Sequence, residues 1–169
     1  MSHLKVELFD LTFTAEHFYL QRESIVEKII FNNRTFYSKF ELQQEEITPD
    51  LLQQHLNHQI TLALPLIEND KVDYIVIEYQ QEDWQTFYSL LKHLLKSLEI
   101  SNYNAYRNEK KNLFQLFIPR KMTALDVAYE EVENIKYLLE LKDKKSYKIY
   151  PNKNLPKNFN IITLPSQNS

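Results

Sequence analysis

The 169-residue chain contains no glycine, where average usage would supply about twelve. That excludes every glycine-built phosphate loop, the P-loop and the dinucleotide-binding turn alike, because those bring the backbone where a Cβ would collide. Cysteine is absent too, so neither a disulfide framework nor thiolate chemistry is open to it. Long apolar runs are missing: ITLALPLI is eight residues, far short of the ~18 needed for a membrane span. The opening MSHLKVELFD carries acids where a secretory signal needs an unbroken apolar core. These absences point to a cytoplasmic protein with no membrane partner.

What is present suits a folded protein. Apolar content of 43% and aromatic content of 13% fit a globular chain able to bury a core without metals or disulfides. Fourteen asparagines can take up part of the missing glycine's work in left-handed turns. The net charge of −3 is unevenly spread. Residues 1–100 hold 8 Lys/Arg against 16 Asp/Glu, and residues 101–169 hold 12 against 7. The basic C-terminal part can face nucleic acid, an acidic partner or the acidic part of its own fold.

In chain order, residues 1–13 alternate apolar and polar positions and read as a short strand or an irregular lead. A helix is expected from Thr14, its apolar face built from Phe18, Leu20, Ile25, Val26 and Ile29. IIFNNRTFYSKFEL reads as a hairpin turning at Asn32-Asn33. A short helix over about 49–57 leads to two adjacent strands, 60–67 and 72–79, joined by Glu68-Asn69-Asp70-Lys71. The second, VDYIVIEY, is apolar on both faces, as in a covered central strand. Then come an amphipathic helix (84–98), a hairpin (102–108 and 113–118) and a helix (123–141) burying Val127, Ala128, Val132, Ile135, Leu138 and Leu139. Short strands over 147–150 and 161–164 close the chain. The expected class is α+β, a mostly antiparallel sheet with helices packed on it. No internal repeat and no dividing linker is visible, so one domain over 1–169 is expected.

Few constellations could carry chemistry. His55-x-x-His58 puts two imidazoles near a helix end with no third ligand at metal spacing, and solvated helix histidines are the plainer reading. Glu78, Glu82 and Asp83 cluster after the central strand, where acids can hold Mg²⁺ or simply make a polar strand exit. Arg107, Lys110, Lys111, Arg120 and Lys121 bracket the second hairpin among Tyr103, Tyr106 and Phe114. Such a hairpin can hold single-stranded nucleic acid, or present a solvated tip over a buried aromatic face.

Three blocks, read together, resemble one family. HLNHQITLALPLIENDKVDYIVIEYQQEDW, NAYRNEKKNLFQLFIPRKMTALDVAY and YPNKNLPKNFNIITLPSQ follow the order of archaeo-eukaryotic-type primase (primase-polymerase) domains over residues 55–167. The resemblance implies a primase-like fold with an RRM-like core, and leaves residues 1–46 unmatched. It also implies a site stripped of its chemistry. Where the family has a metal-binding Asp-x-Asp, this chain has Glu78-Tyr79-Gln80. Phe114 stands for the catalytic histidine, Lys110 and Asn112 for turn glycines, and Asn154 for a late acid. The implied protein is a catalytically inactive primase-like module for binding or scaffolding, with no cofactor and no metal. Its implied partner is single-stranded nucleic acid held by Arg107, Lys110, Lys111, Arg120 and Lys121, or a protein. A nucleotide-binding domain with residual nucleotidyl transfer, or a protein–protein module with no nucleic-acid role, are the alternatives.

Overall fold

The computed structural model describes residues 4–22, 27–31, 34–38, 41–44, 46–142 and 146–166. In chain order the elements are β1 (Leu4–Leu8), β2 (Leu11–Ala15), β3 (Phe18–Arg22), β4 (Glu27–Phe31), β5 (Arg34–Ser38), β6 (Glu41–Gln43), α1 (Pro49–Leu56) and β7 (Ile60–Pro65). There follow β8 (Ile67–Glu68), β9 (Lys71–Tyr79), α2 (Trp84–Ser97), β10 (Asn104–Asn108), β11 (Leu113–Ala124), α3 (Leu125–Leu141), β12 (Tyr147–Tyr150) and β13 (Ile161–Thr163). Helices and antiparallel strands make this an α+β protein. The contacts gather into two compact units, Met1–Pro65 with Ile161–Ser166, and a second beginning at Leu66 and running to Asn160.

In the first unit the helix expected from Thr14 is replaced by strands. Leu11, Phe13 and Ala15 are buried while Thr12 and Thr14 are exposed, a period of two that only a strand can satisfy. Phe18 and Leu20 continue that rhythm in β3, and Ile29 falls in β4; Ile25 and Val26 lie outside the described residues. Strands β4 and β5 form the expected hairpin, with Phe31 opposite Arg34; its Asn32-Asn33 turn lies outside the described residues. The larger sheet runs β13-β7-β3-β6. Helix α1 starts at Thr48, whose hydroxyl accepts from the Leu51 N–H at 3.2 Å.

His55 pins this unit. It is 3% exposed; Nδ1 accepts from the Leu62 N–H at 3.0 Å, while Nε2 faces the Leu164 and Pro165 carbonyls at 2.9 and 3.2 Å. An imidazole with an accepting Nδ1 and a donating Nε2 meets this arrangement. The expected solvated histidine is thus a buried tie between α1, β7 and the segment that follows β13. His55→Ala is expected to lower stability by about 2–4 kcal/mol, read from the urea midpoint.

The second unit follows the order β9-α2-β10-β11-α3-β12, with strands side by side as β10-β11-β9-β12 and β8 against the start of β9. This is the split βαβ arrangement of ferredoxin-like and RRM-like sheets. Ile75, Ile77 and Tyr79 of β9, Phe114, Leu116 and Ile118 of β11 and Ile149 of β12 face a core shared with Phe87, Leu91, Leu94 and Leu95 of α2 and Val132, Ile135 and Leu139 of α3. The opposite face is buried as well, at Tyr74, Val76, Tyr106, Gln115 and Phe117. Phe117 meets both Tyr74 and Tyr106 edge-on, at 5.8 and 5.7 Å.

Three expectations need correction here. The strand over 60–67 breaks at Leu66, whose N–H turns to the Asn160 carbonyl at 2.9 Å, so β7 pairs with β3 and β13 rather than β9. Strand β11 runs on through Ala124, past an irregularity between Pro119 and Thr123. Val127 is 54% exposed, because the buried face of α3 follows Ala128, Val132, Ile135 and Leu139 instead.

Without glycine, left-handed backbone falls on other residues. Asn69 and Asp70 (φ 53° and 57°) make the two-residue turn between Glu68 and Lys71. His58 (φ 63°) ends α1 and Glu99 (φ 62°) ends α2, in the position glycine favours. In each case the next N–H reaches back five residues, Gln59 to Gln54 and Ile100 to Leu95, both at 2.9 Å. Phe9, Asn112 and Met122 are the other such positions among the described residues. Among the described residues asparagine therefore covers Asn69 and Asn112.

Candidate functional site

Strand β9 ends in a part of the expected constellation that comes together. Glu78 and Gln80 line a recess of ≈ 360 Å³ with Gln81, Ser146, Tyr147 and Lys148. Glu78 lies on the sheet face away from the helices, in register with Gln115 of β11 and Lys148 of β12. The Gln115 amide donates to Glu78 Oε2 at 2.9 Å. Burial raises the Glu78 carboxyl above its ordinary value of 4.5, opposed by the Gln115 hydrogen bond and the Lys148 charge. Burial, with the Glu78 charge added, pushes the Tyr150 phenol up to about 12.

Phe114 is elsewhere. Side chains alternate along β11, so Phe114 points into the helix-side core, fully buried, while Gln115 meets Glu78. Tyr88, Trp84 and Phe87 surround its ring at 4.9, 5.8 and 6.4 Å. Asn154 is exposed in the loop after β12, its N–H bonded to Asn152 Oδ1 at 2.9 Å, and lines no part of the Glu78 recess. Of the four degenerate catalytic positions implied by the primase pattern, the fold brings Glu78 and Gln80 together and leaves Phe114 and Asn154 apart, while the turn position Asn112 donates to the Gln80 carbonyl at 3.3 Å.

The donors present do not suit a divalent cation. A cation bound for phosphate chemistry needs several ionised carboxylates. Glu78 is one carboxylate, biased toward protonation, beside two glutamine amides and a lysine. Asp83 accepts from the Tyr79 hydroxyl at 2.5 Å, and that tyrosine stacks on Phe87 at 4.1 Å. The acid after the strand thus ties the start of α2 to the sheet. Burial and the Asp83 carboxylate together push the Tyr79 phenol up to about 12. His55, with both ring nitrogens facing backbone groups, is spent as a metal ligand too.

The basic residues form two groups rather than one. Arg107 pairs with Phe114 near the start of β11, and Lys110 and Lys111 follow in the turn. Arg120 and Lys121 lie six or seven residues further along β11, roughly 20 Å away at strand rise. Arg120 is held by Glu131 at 2.7 Å. Tyr106 and Phe114, expected beside these cations as stacking partners, are 2% and 0% exposed on opposite faces, so no base reaches them. In their place stand two residues of α2 that sequence reasoning missed. The Arg107 guanidinium lies 5.0 Å from the Trp84 ring and donates to Asn112 Oδ1 at 2.5 Å; Lys92 lies 4.6 Å from the Tyr88 ring. The signal was in the sequence: Trp84, Tyr88 and Lys92 are spaced by four along one helix face.

The sheet and its edges define an α+β protein with a ferredoxin-like second unit and a one-carboxylate strand end. Among known families, a model described as a domain of unknown function (DUF1882) matches residues 1–74. That stretch covers the N-terminal segment of the first unit and reaches into β9, stopping short of Glu78. No curated protein matches the chain. Among the described residues no helix is long and apolar enough to cross a membrane.

Two substitutions test this geometry. A carboxyl whose pKa rises on folding costs stability as pH climbs above its unfolded value, fully so once pH passes the folded value. Glu78→Gln keeps an acceptor for Gln115 and removes that cost. Its urea midpoint is expected to match the parent at pH ~4 and exceed it progressively toward pH ~7; parallel curves would contradict the raised carboxyl. Placing a histidine where the primase resemblance expects one, Phe114→His, is expected to cost about 2–4 kcal/mol in thermal or urea unfolding and to create no Mg²⁺-dependent nucleotide incorporation.

Proposed function

We propose that this protein is a non-enzymatic binding module, a primase-like domain without catalytic groups, and that it holds single-stranded nucleic acid along α2 and β10. The observation that carries this reading is the pair of cation–aromatic contacts one helical turn apart, Arg107 over Trp84 and Lys92 over Tyr88. Both rings are half-buried, and Lys110 is exposed in the adjoining turn. Cations held against aromatic faces beside an open basic turn match the chemistry of single strands, whose phosphates need charge and whose bases need planar partners. Asn112 braces the stripe, accepting from Arg107 and donating to the Gln80 carbonyl at 3.3 Å. The Glu78 site supports the non-enzymatic half of the reading, because its single carboxylate is committed to the Gln115 amide.

Fluorescence anisotropy with a labelled oligothymidine tests the proposal. Affinity is expected to fall at least tenfold between about 50 and 200 mM salt. The double variant Lys110→Glu with Lys111→Glu is expected to abolish binding, and binding should quench the emission of Trp84, the chain's one tryptophan. Salt-independent binding, or full affinity in the double variant, would remove the nucleic-acid role and leave a protein partner as the reading.

A further inference from the structure

The opposite edge of the same sheet holds a second recess. It measures ≈ 370 Å³ and lies among α3, β12 and the loop after β12. That volume is at the small end of ligand pockets, suited to a compact organic molecule rather than a polymer. Its walls are chemically divided. Tyr129, Tyr147 and Tyr150 supply rings, with Val132, Ile149 and Leu155 adding apolar surface, while Lys136, Lys148 and Lys153 supply charge against one acid, Glu133. Lys153 pairs with Glu133 at 3.4 Å. Lys148 also borders the Glu78 recess, where its charge eases the burial of that carboxyl.

The loop wall is built in advance of any ligand. Asn160, fully buried, accepts from the Asn152 N–H at 2.6 Å and donates to the Asn152 and Pro156 carbonyls at 3.3 and 3.1 Å. One side chain thereby holds both ends of the loop that carries Lys153 and Leu155. The Tyr147 hydroxyl, donating to the Lys136 carbonyl at 3.4 Å, ties β12 to α3 across the floor. A site whose walls are already ordered loses little conformational freedom when filled.

We propose that this recess binds a small planar organic anion, its ring against the tyrosines and its charge met by Lys136. The surplus of lysine over glutamate selects the charge, and the division of the walls selects a molecule with one planar and one anionic end. This site is independent of the single-strand stripe: it uses the β12 edge of the sheet, and the stripe uses the β10 edge.

Titration calorimetry and ligand-detected NMR on the full chain would test it with three probes: phenyl phosphate, benzoate and neutral benzyl alcohol. Saturable binding of phenyl phosphate or benzoate, with benzyl alcohol at least tenfold weaker, is the expected result. A preference between the two anions identifies phosphate or carboxylate as the natural group. Lys136→Gln should weaken the preferred anion at least tenfold while leaving the thermal midpoint and oligothymidine affinity unchanged. Lys110→Glu with Lys111→Glu should leave phenyl phosphate binding intact. No saturable binding of either anion, equal binding of the alcohol, or full affinity in the lysine-to-glutamine variant would each overturn the proposal.

Discussion

Strand β9 can be satisfied only in the interior, and the second unit is arranged round that demand. Ile75, Val76 and Ile77 are consecutive residues with no exposure at all, so apolar surface must be supplied to both faces of a strand that also needs hydrogen bonds on both sides. Strands β11 and β12 meet the second need, and α2 and α3 cover one face. The strand is also where alternation changes character. Up to Ile77 each step adds core; at Glu78 the same alternation delivers a carboxylate to a face that elsewhere carries Tyr74 and Val76.

That placement explains why Glu78 is an unpromising catalytic group and a plausible structural one. The flanking strands meet it with an amide and an ammonium, Gln115 and Lys148, which moderate the cost of its burial without supplying a second acid. Cations beside aromatic rings are found instead at the sheet's edges. At the β10 edge the cations are held over rings of α2. At the β12 edge lysines and tyrosines border a concavity.

Much of the second unit was legible because its information is local. The alternation in VDYIVIEY, the four-residue spacing of leucines in α2 and the charged turn at 109–112 each declare themselves within a dozen residues. What was not legible is pairing between distant segments. Nothing near Gln115 announces that it faces Glu78, thirty-seven positions earlier, and without that register Phe114 looked like a site residue. The break at Leu66 is of the same kind, since the partner that diverts it, Asn160, is far along the chain. The lost helix after Thr14 had a different origin. Phe18, Leu20 and Ile29 can be fitted to a helical face, but the threonines between Leu11 and Ala15 carried a two-residue rhythm that deserved more weight. His55 was hidden because a buried histidine and a solvated one look alike until their partners are known.

The missing glycines bear on the unfolded chain as much as on the folded one. Each glycine replaced by another residue narrows the ensemble from which folding starts, by about 0.4–1 kcal/mol where the native conformation tolerates it. A chain without any begins from an unusually stiff disordered state. The left-handed positions among the described residues, from Phe9 to Met122, return part of that gain, at about 1–2 kcal/mol for a side chain with no local hydrogen bond to ease it. Stiffness before folding and strain after it therefore oppose each other across this molecule, and the balance is struck in its turns rather than in its core.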